Sequence, residues 1–142
     1  MKYVVLVSHG TMAPGVHNAL KMLAGEGRDD ILSTSLENGM SSEVYAENVR
    51  KSISGITQED EILLFADLVG GSPLTTAANV IAQQNLINRT VMLGGMNLPL
   101  ALSAVLMKDS MDIGELVEML IQEAREELKK FQITNTESED DI

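Results

Sequence analysis

Cysteine is absent from the 142 residues, so neither a disulfide framework nor thiol chemistry is available. Tryptophan is absent too, and there are only two tyrosines and two phenylalanines. The core must therefore be packed from Leu, Ile, Val, Ala and nine Met. Positive charge is scarce: 10 Lys and Arg stand against 21 Asp and Glu, a formal charge of −11. With no basic patch, nucleic acid is not an expected partner. A protein with a basic face is, because opposite fields steer encounter. No apolar run approaches the roughly 20 residues that span a bilayer, so no membrane insertion is expected. No signal-peptide pattern precedes the first apolar run. Together with the missing cysteines, this predicts a cytoplasmic location.

What is present alternates. Apolar, strand-like runs occur at Tyr3–Ser8, Ile31–Leu36, Ile62–Ala66 and Thr90–Leu93. The first and third are nearly continuous, as expected of strands covered on both faces. The second is more polar and reads as an edge strand. Helical patterns lie between the runs. One is opened by Pro14 with Val16, Leu20 and Leu23 or Ala24 inside. A second is capped by Ser41 or Ser42, with Val44, Val49 and Ile53 inside and Tyr45 nearby. A third is capped by Ser72, with Pro73 as its first residue and Leu74, Ala77, Ala78 and Ile81 inside. A fourth runs from Leu98 to Met107, and a fifth carries Ile113, Leu116, Val117, Leu120, Ile121 and Leu128. This alternation predicts an α/β domain with a parallel sheet, right-handed crossovers and helices on both faces. Residues 1–133 read as one domain. Lys129 to Ile133 read as a short final strand or a frayed end. Residues 134–142, rich in Asp and Glu, read as a disordered tail.

The chemistry gathers where strands end. In an open α/β sheet, ligands bind beyond the carboxyl ends of the strands. The first run ends in Ser8-His9-Gly10-Thr11 and the third in Asp67, followed by Gly70-Gly71-Ser72-Pro73. A neutral imidazole is a good nucleophile towards phosphorus, and its phosphoramidate can pass the group on. A lone histidine more often caps or packs, but Gly10 lets another molecule come close. A carboxylate on one ring nitrogen fixes the tautomer and frees the other to attack. Two glycines and a helix N-terminus suit a phosphoryl group. The turn is neither a Walker loop nor a dinucleotide fingerprint. No carboxylate cluster implies a metal, and no cofactor is expected. Gly94-Gly95-Met96-Asn97-Leu98-Pro99 reads as a further loop at the same edge, with Asn97 as a possible polar contact and Met12 and Met96 at the pocket mouth. His17, in the first helix, is either an exposed helix residue or a neighbour of the site.

These segments, in this order and spacing, resemble the IIA component of the mannose/fructose/sorbose class of the bacterial sugar phosphotransferase system. The resemblance covers about the first 125 residues. It implies a flavodoxin-like open parallel sheet of order 2-1-3-4. It also implies a homodimer whose C-terminal strand, placed at Phe131–Ile133, crosses to the partner's sheet. The histidine matching His9 would accept a phosphoryl group from the carrier protein HPr and pass it to a IIB component for coupled sugar uptake and phosphorylation. Asp67 would orient that histidine, and Ser72, Gly71, Gly10 and Thr11 would surround the phosphoryl group. The membrane components IIC and IID would be indirect partners, and IIB would be a separate polypeptide. Leu68-Val69 departs from the Thr-Trp of the mannose member, which bears on the surface offered to IIB.

Other readings stay open on the residues alone. The phosphotransfer subunit of a dihydroxyacetone kinase has a similar fold and histidine. A histidine phosphatase or mutase would need an arginine where Ser8 stands. A hydrolase using Ser72 lacks the Gly-x-Ser-x-Gly elbow. A response-regulator receiver would need acidic residues in place of His9. A non-catalytic interaction module would leave His9 inert.

Overall fold

The computed structural model describes residues 1–133; the acidic segment 134–142 lies outside the described residues. Four strands form one parallel sheet: β1 (Lys2–His9), β2 (Ile31–Leu36), β3 (Glu61–Ala66) and β4 (Thr90–Leu93). Their order is β2-β1-β3-β4, the flavodoxin-like order that the resemblance implies. The most apolar strands, β1 and β3, are central, and the polar β2 is an edge, as its composition predicts. The connecting helices are α1 (Met12–Ala24), α2 (Ser42–Ser52), α3 (Ser72–Gln83), α4 (Leu98–Met107) and α5 (Ile113–Glu126), with a 3₁₀ turn at Ile87–Arg89.

The two-residue period of the strands sorts the core into two layers. Val4, Leu6, Leu63 and Phe65 pack under α1, α4 and α5. Val5, Val7, Ile62, Leu64 and Ala66 pack under α2 and α3. The same period assigns a side to each residue at the end of β1. Ser8 continues the Leu6 side towards α1, and its buried Oγ accepts from the Ala13 N–H at 2.7 Å. His9 continues the Val5–Val7 side towards α3. The strand period thus puts the imidazole on the side of the sheet where α3 starts.

Several local expectations are corrected. α1 begins at Met12, two residues before Pro14. Ser41 does cap α2, its Oγ accepting from Val44 N–H at 3.1 Å, but Val44 is 51% exposed and Tyr45 is fully buried instead. The inward face is Tyr45, Val49 and Ile53, a spacing of four residues that keeps one side of a helix inward. In α3, Gly71 is the N-cap, Ser72 the first helical residue and Pro73 the second. Pro73 and Val80 are buried with Ala77 and Ile81, whereas Leu74 and Ala78 are only half-buried. Leu128 lies past the end of α5 and is 89% exposed. Lys129–Ile133 adopt neither helix nor strand in the single chain. No helix among the described residues is long and apolar enough to cross a membrane.

Far from the strand ends that carry His9, a charge cluster ties the opposite edge. Lys108, 1% exposed, meets Asp30 at 2.8 Å and Asp109 at 3.0 Å. Arg28 adds two bonds to the same Asp30 carboxylate at 3.0 and 2.9 Å. Burial alone would push the Asp30 carboxyl up, but the bonds from Arg28 and Lys108 outweigh it and hold it at about 2.

Candidate functional site

β1 and β3 are hydrogen-bonded neighbours, with Val7 opposite Ala66. Their next residues therefore emerge side by side at the carboxyl edge. Asp67 Oδ2 accepts the backbone N–H of His9 at 3.0 Å and lies 2.8 Å from His9 Nδ1. Asp67 Oδ1 accepts the Leu68 N–H at 3.0 Å. An ionised carboxylate only accepts, so this pattern places a ring proton on Nδ1, and in the neutral imidazole the Nε2 lone pair is then free. The imidazole is about half exposed (48%) while Asp67 is sheltered. Burial alone would raise the Asp67 carboxyl, but the bonds from His9, main chain and ring, hold it below its ordinary value.

The ring faces the start of α3. A Cβ on Gly71 would lie 3.2 Å from His9 Cε1 and 3.7 Å from Nε2, so any other residue would push the imidazole aside by a few tenths of an ångström. Gly71 also takes φ +124°, in the region that favours glycine. The first helical bond of α3 runs from Thr75 N–H to the Gly71 carbonyl at 3.2 Å. Among the described residues the N–H groups of Ser72 and Leu74 have no partner, and neither has the exposed Ser72 hydroxyl. Free donors at the positive end of a helix, beside an uncommitted imidazole nitrogen, form an anion-receptive corner next to a nucleophile.

Gly10 and Thr11 follow His9 directly. Gly10 sits at φ +56°, its N–H bonded to the Leu36 carbonyl at 2.9 Å. Thr11 is the exposed N-cap residue of α1 and makes no capping bond with its side chain. Met12 follows it, 42% exposed. Leu68 and Val69, at 55% and 77% exposure, form an apolar rim beyond Asp67.

Not every residue picked from sequence gathers here. Asn97 is committed elsewhere: Oδ1 accepts from Leu100 N–H at 2.8 Å and Nδ2 donates to the Ala124 carbonyl at 3.2 Å, so it caps α4 and ties it to α5. Met96 is buried, 4% exposed, in the core rather than at a pocket mouth. His17 Nδ1 lies 2.7 Å from Ser33 Oγ, which is three residues, about 10 Å, back along β2 from the His9 level. Burial and then the nearby Lys21 charge lower its pKa. Among the described residues, no group of three or more His, Asp or Glu is placed to hold a metal ion.

Sequence reasoning misses three residues. Ser8 anchors the loop that bears His9, and its signal is a hydroxyl in phase with Leu6. Tyr45 donates from its buried phenol to the Pro73 carbonyl at 2.8 Å, and its spacing to Val49 and Ile53 marks it as inward. Gly94 packs where a Cβ would lie 2.5 Å from Val69 Cα, a backbone approach that no local pattern announces.

The family model described as "PTS system fructose IIA component" matches residues 3–121. The fructose-specific EIIA component of Bacillus subtilis (strain 168) is 24% identical over 145 residues, covering 97% of each chain. Among solved structures, a phosphotransferase system EIIA component from Streptococcus agalactiae superposes with a TM-score of 0.77 at 24% identity, over 92% of this chain and 97% of that one. A mannose/sorbose-specific IIA subunit from Enterococcus faecalis gives 0.68 at 24% identity, over 96% of this chain and all (100%) of the other.

Proposed function

The chain belongs to the family of PTS system fructose IIA components, and we propose that it acts as a IIA phosphocarrier by taking a phosphoryl group onto His9. The observation that carries this reading is the free Nε2 of a half-exposed imidazole whose Nδ1 is held by Asp67 at 2.8 Å.

The chemistry rests on that arrangement. A phosphohistidine of the donor, HPr in this reading, presents its phosphorus to Nε2. The Nε2 lone pair forms the new P–N bond while the donor's P–N bond breaks and its electron pair returns to the donor imidazole. His9 gains positive charge as it attacks, and the Asp67 carboxylate beside Nδ1–H stabilises it. The three phosphoryl oxygens meet the free N–H groups of Ser72 and Leu74, the Ser72 hydroxyl, and the backbone about Gly10 and Thr11. Transfer of this kind depends mainly on positioning and on neutralising the oxygens. The reverse step delivers the group to a IIB component, and through it to sugar crossing the membrane by IIC and IID. The net charge of −11 suits basic docking faces on both soluble partners, and the site fits a cytoplasmic carrier.

A homodimer belongs to the same reading. β4 is an edge strand, and Leu128, Phe131 and Ile133 are 82–90% exposed beyond α5. Such an edge accepts a further strand, which the C-terminal segment of a second copy can supply. Light scattering should give twice the 15.4 kDa monomer mass, and deletion of residues 128–142 should abolish the dimer.

The discharge step tests the carrier role. The phosphorylated protein, mixed with purified IIB, should lose its label to IIB within seconds. Label that stays on the chain in the presence of IIB contradicts the reading.

A further inference from the structure

The start of α3 is built from residues that hold it poorly. Gly70 and Gly71 precede it, and no side chain caps it. Yet its first turn must stay against the His9 ring for the free N–H groups of Ser72 and Leu74 to be of use. The phenol of Tyr45, in the first turn of α2, reaches 28 residues along the chain to the Pro73 carbonyl at 2.8 Å. Tyr45 is fully buried, and a phenylalanine or leucine would fill the same space between α2 and α3. A buried hydroxyl is costly unless bonded, so its presence points to the bond it makes. Burial, and after it the negative charge of Asp67, push the phenol's pKa well above that of a free tyrosine, so the hydroxyl remains a donor.

We propose that Tyr45 is a positioning residue for phosphoryl transfer: its hydroxyl, through the Pro73 carbonyl, holds the first turn of α3 where the Ser72 and Leu74 N–H groups meet the phosphoryl oxygens on His9. The proposal rests on the reading of His9 as the phosphoryl carrier. Tyr45 touches neither phosphorus nor the attacking nitrogen; it acts through the helix.

Tyr45→Phe keeps the ring and removes the bond. Val49→Ala, on the same buried face of α2, loosens packing without touching Pro73. Both are compared with wild type by melting, by the rate of label transfer from phospho-HPr, and by the amide shifts of Gly71, Ser72 and Leu74 on phosphorylation. Tyr45→Phe should transfer roughly five- to tenfold more slowly at saturating donor, the loss of one ordinary hydrogen bond. The half-saturating donor concentration should change little. Its Ser72 and Leu74 amide shifts should shrink. Val49→Ala should melt at least as early as Tyr45→Phe yet transfer at the wild-type rate. A Tyr45→Phe protein with wild-type rate and shifts overturns the proposal while leaving the His9 reading intact. So does a Val49→Ala protein slowed as much as Tyr45→Phe, since stability alone would then explain the effect. A wild type that takes no label overturns both.

Discussion

One oxygen of Asp67 meets His9 twice. Oδ2 accepts the backbone N–H at 3.0 Å and lies 2.8 Å from ring Nδ1, while Oδ1 takes the Leu68 N–H at 3.0 Å. The end of β1, the imidazole and the turn after β3 are thus keyed to one carboxylate. A ring fixed at both its backbone and its Nδ1 has little freedom to rotate Nε2 away from the start of α3.

Asp67→Asn is the sharpest perturbation of this arrangement. An amide cannot accept on both sides. If its oxygen serves His9, its NH₂ faces the Leu68 N–H; if it flips, a donor faces both His9 groups. A hydrogen bond to a charged group contributes about 1.5–3 kcal/mol, so transfer should slow roughly 10- to 100-fold. Initial labelling rates check this, with circular dichroism confirming the fold. A rate within twofold of wild type would refute the orienting role.

Gly71→Ala places a methyl 3.2 Å from the His9 ring at a backbone φ of +124°. The strain should lower stability by about 1 kcal/mol or more. Labelling should fall further than that loss explains, because the methyl crowds Nε2. Gly55→Ala, where a Cβ meets nothing within 4 Å, serves as the control and should leave labelling unchanged. Gly94→Ala, aimed at the Val69 backbone, should disturb the Asp67–Gly71 turn and reduce both stability and labelling.

Part of the acid sensitivity should trace to Asp30. Its folded pKa of about 2 lies below the roughly 3.9 of an unfolded aspartate. A depressed carboxyl stabilises above the unfolded value and loses that contribution as pH falls through the folded value. Stability should therefore drop between about pH 4 and pH 2, by about 1–2 kcal/mol from this group once partial exposure is allowed for. Asp30→Asn should remove that pH dependence. At pH 7 it leaves buried Lys108 with only the exposed Asp109, and should cost about 3 kcal/mol. Adding Lys108→Met should recover much of the loss. Urea titrations of the three proteins at pH 7 and pH 3 decide the matter.

How far the sequence can be read depends on how local each determinant is. The four strands rest on apolar runs, and the gathering of chemistry beyond β1 and β3 on the rule that strand ends carry it, and both are visible in one chain; the order that makes those strands neighbours comes only with the family resemblance. A serine before a proline reads as a cap, which sets the start of α3 one residue late. Gly71 takes the cap position instead, where the backbone must pass the His9 ring. The loop around Asn97 draws it to the site on paper, but its amide is used across 27 residues on Ala124, a partner no spacing reveals. Aliphatic character favours Val44 as the inward residue, whereas the four-residue spacing to Val49 and Ile53 selects Tyr45. The bond from Tyr45 to Pro73 is set by how α2 packs on α3. Long-range contacts, not element types, are the illegible part.

The most direct test is transfer of radiolabelled phosphate from phosphoenolpyruvate through Enzyme I and HPr to this protein, with His9→Ala and His17→Ala alongside. The account predicts one acid-labile label per chain on wild type and on His17→Ala, whose imidazole sits against Ser33 away from Asp67, and none on His9→Ala. Label retained by His9→Ala, or absent from wild type, would contradict it.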